Sequence, residues 1–262
     1  MLTHAVVITG KELIDAIRDV RPLVSSAFYC LMGPGIVFMV SMAMNGRGQD
    51  RAGGSVLIGM ISVFILVSAF LGGMNVAMDA LAGERERKSL LPLLMNGVAP
   101  RDVVLGKWLA VTCFSTAGLT INLTAFLFVL SRAHVPIRSA IAGSAPMLAA
   151  GLIPLALLAA AAELGISTAC RSVKEAHTYL SMLVFLPMGT GMLLVFFPSV
   201  THGWWRLVPI IGQQWQLEHW VRGDLSASQA AILGLVTAVL TGLILWGTAS
   251  LLGRDDVVYG RY

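Results

Sequence analysis

Six stretches of this chain stay apolar for about twenty residues or more, and that length limits what it can fold into more than any other feature. The runs cover residues 22–44, 55–78, 108–130, 140–170, 177–197 and 227–252, each bounded by charges or turn clusters. A helix needs roughly 20 predominantly apolar residues to cross the hydrocarbon core of a bilayer. Within the bilayer the backbone must satisfy its own hydrogen bonds, so only helices or closed barrels span it. Runs this continuously apolar exclude the alternating pattern of a barrel strand. The fourth run exceeds one crossing, and residues 148–170 serve as its span. The expected fold is therefore an all-α integral membrane protein with six transmembrane helices in a single domain, residues 22–262, preceded by residues 1–21.

Charge content points the same way. Charged residues make up 12% of the 262 and hydrophobic ones 56%, where an average soluble domain carries roughly 25% charged residues. This composition argues against a soluble enzyme, a disordered regulator or a free nucleic-acid-binding protein. The net charge of +4 comes from 18 Lys and Arg scattered in twos and threes between the apolar runs, so no nucleic-acid partner is expected. Cys30, Cys113 and Cys170 lie in or beside apolar runs without a spaced pair, which reads as small hydrophobes rather than a disulfide framework or metal site. The first residues show no basic region followed by an apolar core and a cleavage site, so no cleaved signal peptide is expected.

The basic residues orient the bundle. With the N-terminus inside, twelve Lys and Arg fall in cytoplasmic segments and six (Arg47, Arg51, Arg132, Arg138, Arg206, Arg222) fall outside. Cytoplasmic loops carry the excess of Lys and Arg, so both termini are expected in the cytoplasm of a prokaryotic inner-membrane protein.

Two segments outside the spans have their own patterns. In residues 1–21, Leu13, Ile14, Ile17 and Val20 recur at helical spacing opposite Lys11, Glu12, Asp15, Arg18 and Asp19, which predicts an amphipathic helix on the cytoplasmic membrane surface, in contact with lipid. Thr9 to Glu12 fits a capping box at its start, and Pro22 favours a break before the first span. On the outer side, residues 198–226 hold Trp204, Trp205, Trp215 and Trp220. Tryptophan prefers the headgroup level, so this segment is expected at the membrane surface. His202, Glu218 and His219 lie there in no recurring metal-ligand spacing.

The densest charge in the chain runs from Glu84 through Arg85, Glu86 and Arg87 to Lys88. Ser89-Leu90-Leu91-Pro92-Leu93-Leu94 follows, and then a turn and Arg101-Asp102. A charged turn leading into a short apolar helix offers ion-pairing groups and hydrophobic knobs to a cytosolic partner. A solvated loop that only sets topology is the other reading of the same residues.

Residues 84–94, continued by Val98-Ala99-Pro100-Arg101-Asp102 and Gly106-Lys107, resemble the E-R-E-x-x-[ST]-L-E-x-L-L … P-V-S-R … G-K signature of ABC-2 type transporter permeases, closest to their sodium-exporter-like branch. Lys11-Glu12-Leu13 with Arg18-Asp19-Val20-Arg21 resembles that family's N-terminal amphipathic helix. Ser172-Val173-Lys174-Glu175-Ala176-His177 resembles its S-x-K-E-A-Q segment. The chain departs from the pattern at Leu91 (usually Glu), Gly97 (usually Pro) and His177 (usually Gln). The resemblance implies a six-span exporter permease working as a homodimer with two copies of a cytosolic ABC ATPase subunit. It also implies a coupling helix after the second span, with Glu84, Arg85, Glu86, Arg87, Ser89 and Leu90 contacting the ATPase. ATP and Mg would be bound by that partner and no cofactor by this chain. In agreement, no GxxxxGK[ST] stretch is present to cradle phosphates.

Glu163 is the one acidic residue well inside an apolar run, seven residues from Cys170, or roughly 10 Å of helix. A charge at that depth costs about 2.5–3.5 kcal/mol or more unless it is paired or faces water. Glu163 is thus a candidate for a translocation pathway, with Asn122 and Thr124 of the third span as polar partners. A structural carboxyl bonded to a neighbouring helix is the competing reading. Ser68, Gly72, Ala69 and Gly73 form overlapping small-xxx-small pairs that permit close helix approach. Two other functions fit less of the pattern: a secondary transporter using Glu163 as its ion site, and a membrane scaffold that moves nothing.

Overall fold

The fold was obtained as a computed structural model, which describes residues 2–44, 51–95, 97–132, 138–197, 203–222 and 226–254. Residues 45–50 (Arg47 among them), His202 and the chain beyond 254 lie outside the described residues. The described residues are helical, and the helices in order are α1 (Leu2–Arg18), α2 (Val20–Met44), α3 (Arg51–Met78), α4 (Glu84–Glu86), α5 (Leu90–Met95), α6 (Pro100–Arg132), α7 (Arg138–Ala169), α8 (Val173–Phe196), α9 (Ile211–Arg222) and α10 (Ala227–Leu252). Six of them contain segments long and apolar enough to cross a bilayer: Pro22–Met42, Gly59–Glu86, Pro100–Val129, Gly151–Ala169, Val173–Leu194 and Ala227–Leu252. The chain is an all-α membrane protein of six spans.

α3 and α7 form the centre, while α2 and α8 lie at the periphery. The α3–α6 contact depends on two glycines. A Cβ on Gly72 would sit 2.8 Å from the Phe114 carbonyl oxygen, and one on Gly118 would sit 2.8 Å from Gly72 Cα. Ser68 and Gly72 therefore face α6 of the same chain, where missing side chains let two backbones touch and recover dispersion energy along their length. Toward one end Ile65, Phe70, Phe126, Leu155 and Trp220 share a core. Toward the other, the end bearing Glu84–Glu86, a second core gathers Leu81, Leu90, Val103 and Leu164.

Three details differ from the sequence reading. First, α1 begins at Leu2, so Thr9 lies in mid-helix rather than at a cap. Its hydroxyl donates to the Ala5 carbonyl (2.8 Å) and the Gly106 carbonyl of α6 (2.9 Å). Second, the break between α1 and α2 falls at Asp19, one turn before Pro22. Pro22 then occupies the first turn of α2, where no intrahelical donor is needed. Third, the tryptophan segment does not lie wholly at the surface. Trp204 and Trp205 stack on each other in an exposed 3-10 turn (Gly203–Leu207), but α9 re-enters the bundle and buries Trp215 and Trp220. Two of its three buried glutamines find partners there. Gln213 Nε2 donates to Thr237 Oγ1 (2.9 Å), Gln213 Oε1 accepts from the Ile210 N–H, and Gln214 Nε2 donates to the Gly191 carbonyl (3.1 Å).

Candidate functional site

The second span does not stop at Met78. It runs through a π-helical turn, Asp79–Gly83, into α4. The widened turn frees backbone groups that Ser167 of α7 answers, accepting from the Ala82 N–H (3.1 Å) and donating to the Met78 carbonyl (3.4 Å). Such π insertions shift the helical register locally, and here the shift aims three successive residues at three different neighbours.

Glu84 points toward α6 and α1. Its Oε1 lies 2.9 Å from Lys107 Nζ and 3.6 Å from Lys11 Nζ, while the same Lys107 ammonium donates to Glu12 Oε1 at 2.8 Å. Lys107 has no exposed surface. Carboxylates from α1 and α4 therefore converge on one buried cation of α6. Close approach of α1 is possible because Gly106 has no side chain: a Cβ there would press on the Ala5 carbonyl and Ile8 at 2.8 Å. α1 sends Thr9 and Glu12 to α6 and leaves Ile14 and Ile17 exposed, as is Val20 at the start of α2.

Arg85 and Glu86 grip the turn between α7 and α8. The Arg85 guanidinium donates to the carbonyls of Thr168 (2.8 Å) and Cys170, which have no intrahelical partner at the end of α7. Burial pushes the Cys170 thiol up from its ordinary range; the Glu175 carboxylate adds to that rise and the Arg85 guanidinium opposes it. Glu86 Oε2 accepts from the Val173 N–H (2.9 Å) at the start of α8, whose cap is Ser172, its Oγ accepting from the Glu175 N–H. A carboxylate at a helix N-terminus and a guanidinium at a C-terminus both complement the helix dipoles.

The rest of the segment divides between the core and the outer surface. Arg87 pairs with Asp79 at 2.8 Å across the π turn, and Ser89 Oγ donates to the Glu84 carbonyl at 3.2 Å. Leu90 is buried among Leu81, Val103 and Leu164. Arg87, Lys88, Ser89 and Met95 are exposed. Of the six residues expected to meet a partner, Glu84, Arg85 and Leu90 thus face inward, Glu86 is exposed but held by α8, and Arg87 and Ser89 lie outermost. Lys107 and Glu12 were missed as parts of this centre. The hints in the sequence are Lys107 directly beside Gly106 at the edge of an apolar run and Glu12 in the polar stripe of the N-terminal helix.

The three candidate pathway residues are not brought together. Thr124 is exposed on α6, its hydroxyl donating to the Thr120 carbonyl of its own helix (2.8 Å). Asn122 is buried and donates to the Cys30 carbonyl of α2 (2.6 Å), leaving Oδ1 without a partner. Glu163 is buried where α3, α6 and α7 meet. Its Oε2 would lie 2.9 Å from a Cβ on Gly73, which Ser115 Oγ also approaches, and neither carboxyl oxygen has a hydrogen-bond partner.

A cavity of about 700 Å³ opens between α2, α3 and α8. Met32, Met60, Phe64, Phe185 and Met188 supply much of its wall, Asn122 reaches it from α6, and Glu163 does not line it. At the end nearest α4, Asn75 Nδ2 ties α3 to α2, donating to Ser25 Oγ and Ser26 Oγ at 3.0 Å. Among the described residues no three His, Cys, Asp or Glu side chains gather as a metal site. His219 instead stacks on Trp215 and bonds its carbonyl.

Residues 6–208 match the family model described as ABC-2 family transporter protein. This chain belongs to the ABC-2 transporter family. The match runs from within α1 to beyond α8, and so includes both the buried charge centre and the cavity. The ABC transporter permease protein NatB of Bacillus subtilis (strain 168) is 37% identical over 142 residues, covering 50% of this chain and 36% of that relative. The matched stretch thus spans only about a third of that relative's length.

Proposed function

We propose that this chain is the permease subunit of an ATP-driven exporter, and that residues 84–95 receive a separate cytosolic ATPase. The observation that carries this reading is the way Glu84, Arg85 and Glu86 connect one short exposed segment to four helices. Pressure on Arg87, Ser89 and Met95 would pass through Glu84 to Lys107 on α6 and to α1. Through Arg85 and Glu86 it would reach the end of α7 and the start of α8. α8 in turn walls the cavity, so a partner closing on nucleotide could shift the cavity without touching it. The change would be a population shift between two bundle arrangements, driven by the difference in ATPase contacts. On this reading the end bearing α4 is cytoplasmic, the working unit pairs two permeases with two ATPases, and ATP and Mg belong to the partner. Packing Glu163 away from the cavity weighs against a secondary transporter built around that carboxyl.

Two measurements test the proposal. First, a stoichiometric subunit carrying a phosphate-binding loop should co-purify with the permease in detergent. Its absence from a stable preparation would overturn the assignment. Second, Arg85→Ala combined with Glu86→Gln should leave nucleotide hydrolysis in the assembled complex within about twofold of wild type while transport falls by about tenfold or more, a loss of roughly 1.4 kcal/mol. Transport and hydrolysis falling together would show that these residues maintain assembly rather than transmission.

A further inference from the structure

A π turn holds one residue more than an α turn, because its backbone bonds reach five residues back instead of four. In the second span that surplus lies between Asp79 and Gly83, and a side chain from another span sits at its weakest link. An unbroken α-helix would pair the Ala82 N–H with the Met78 carbonyl, four residues back. Ser167 Oγ of α7 bridges that same pair, accepting from the N–H at 3.1 Å and donating to the carbonyl at 3.4 Å. Ser167 has no exposed surface. A hydroxyl inserted into the backbone ladder in this way keeps the helix from closing to its ordinary pitch.

Everything beyond the turn depends on that register. Closing the turn to α geometry would rotate the following residues by about 100°. Glu84 would leave Lys107, Arg85 the Thr168 carbonyl and Glu86 the Val173 N–H, and Leu90 would leave its core beside Leu81, Val103 and Leu164. A half-rotated turn satisfies neither set of partners, so the choice is between two discrete arrangements. On its outer side the turn is closed only by the largely exposed Asp79–Arg87 pair at 2.8 Å. Gly83 makes room for that pair, since a Cβ there would lie 2.6 Å from Asp79 Oδ1. Exposed ion pairs are weak, and a partner that offers Arg87 a carboxylate of its own can take it from Asp79.

We propose that Ser167 is the positioning residue that holds this turn in its π register, and that the change of register is the two-state element through which contact at Arg87 moves the bundle. This rests on the permease reading above and names the part that moves. The buried hydroxyl sets the resting register, and the surface pair is where a partner works against it.

The test follows labelling of Leu90→Cys by a membrane-impermeant maleimide in the full permease in nanodiscs, with labelling of the three native cysteines subtracted. Leu90 is only 2% exposed, so the parent should label slowly. Ser167→Ala should raise the rate about tenfold or more, while Ser167→Thr, which keeps the hydroxyl, should stay within about threefold of the parent. Deleting Ala80 removes the surplus residue and lets an α turn present Glu84, Arg85 and Glu86 to the same partners. In that background Ser167→Ala should change the rate by less than about twofold, whereas a serine that merely supports packing would add its damage to the deletion. Equal protection of position 90 with and without the Ser167 hydroxyl would overturn the proposal. So would a Ser167→Ala effect that keeps its full size after the deletion. Should Ser167→Ala alone fail to reach the membrane, recovery of insertion on deleting Ala80 supports the same coupling, and no recovery contradicts it. With the ATPase subunit added, one nucleotide state should raise labelling about threefold or more over the permease alone, a direction that mere covering by the partner cannot produce. No rise in a complex that hydrolyses ATP and transports would refute the moving turn and leave the permease assignment standing. Failure of any ATPase to associate would count against that assignment alone, because the dependence on Ser167 is measured on the permease by itself.

Discussion

Replacing Lys107 by Met removes the buried cation that Glu12 and Glu84 share, at 2.8 and 2.9 Å. Two carboxylate oxygens then lie roughly 5 Å apart without a fixed cation between them, which at an effective dielectric constant of about 20 is about 3 kcal/mol of repulsion. Measured costs of breaking a buried pair by removing one partner run about 3–5 kcal/mol. The two figures describe the same loss and are not additive. Lys11 stands at the rim, 3.6–3.7 Å from the same oxygens but largely exposed, so it screens only part of the repulsion. For a chain of this size about 1 kcal/mol moves the melting temperature by roughly 2–4 °C, so Lys107→Met should melt roughly 6–20 °C below wild type. The assay is size-exclusion chromatography of detergent-solubilised protein after graded heating. A triple variant, Lys107→Met with Glu12→Gln and Glu84→Gln, removes the stranded charges and should recover most of the loss, because apolar and neutral replacements of a whole buried ion cluster are often tolerated. Melting of the single variant within about 2 °C of wild type, or no recovery in the triple variant, would refute the reasoning.

Two further changes probe the packing around that centre. Gly72→Val places a Cβ against the Phe114 carbonyl and Gly118 Cα, so α3 and α6 must separate at a cost of about 1–3 kcal/mol, visible as a drop of several degrees in the same heating assay. Glu163→Gln keeps the shape of a carboxyl that has no hydrogen-bond partner and removes any charge, so stability should hold or rise. A fall of more than roughly 3 °C would show that the packed bundle uses the carboxylate.

The six spans were legible because length and continuity of apolar residues set them, and those properties do not depend on neighbours. The α3–α6 contact was half legible. Ser68 and Gly72 marked a close approach, but only folding showed that Gly118 of the same chain meets it. α9 was not legible as a buried helix. Gln213, Gln214 and Gln216 make the stretch polar, and nothing local reveals that Thr237, twenty-four residues on, and the Gly191 carbonyl satisfy two of them. The charged segment was found by its density and misjudged in its direction. Periodicity places Glu84, Arg85 and Glu86 around a helix, but their partners are Lys107, the carbonyls of Thr168 and Cys170, and the Val173 N–H, all of which lie elsewhere along the chain. A charge without a known partner is assigned to solvent by default, and that default fails where the partner comes from another helix.

The central claim, that the outer surface of residues 84–95 receives an ATPase, is tested most directly by site-specific photocrosslinking in the membrane. A photoreactive residue replacing Met95, 77% exposed beside the charged turn, should form an adduct with the ATPase subunit whose yield changes with bound nucleotide. The same residue replacing Trp204, 65% exposed in the tryptophan turn, should form none. An ATP-hydrolysing complex that yields no adduct from position 95, or yields one from position 204, would contradict the claim.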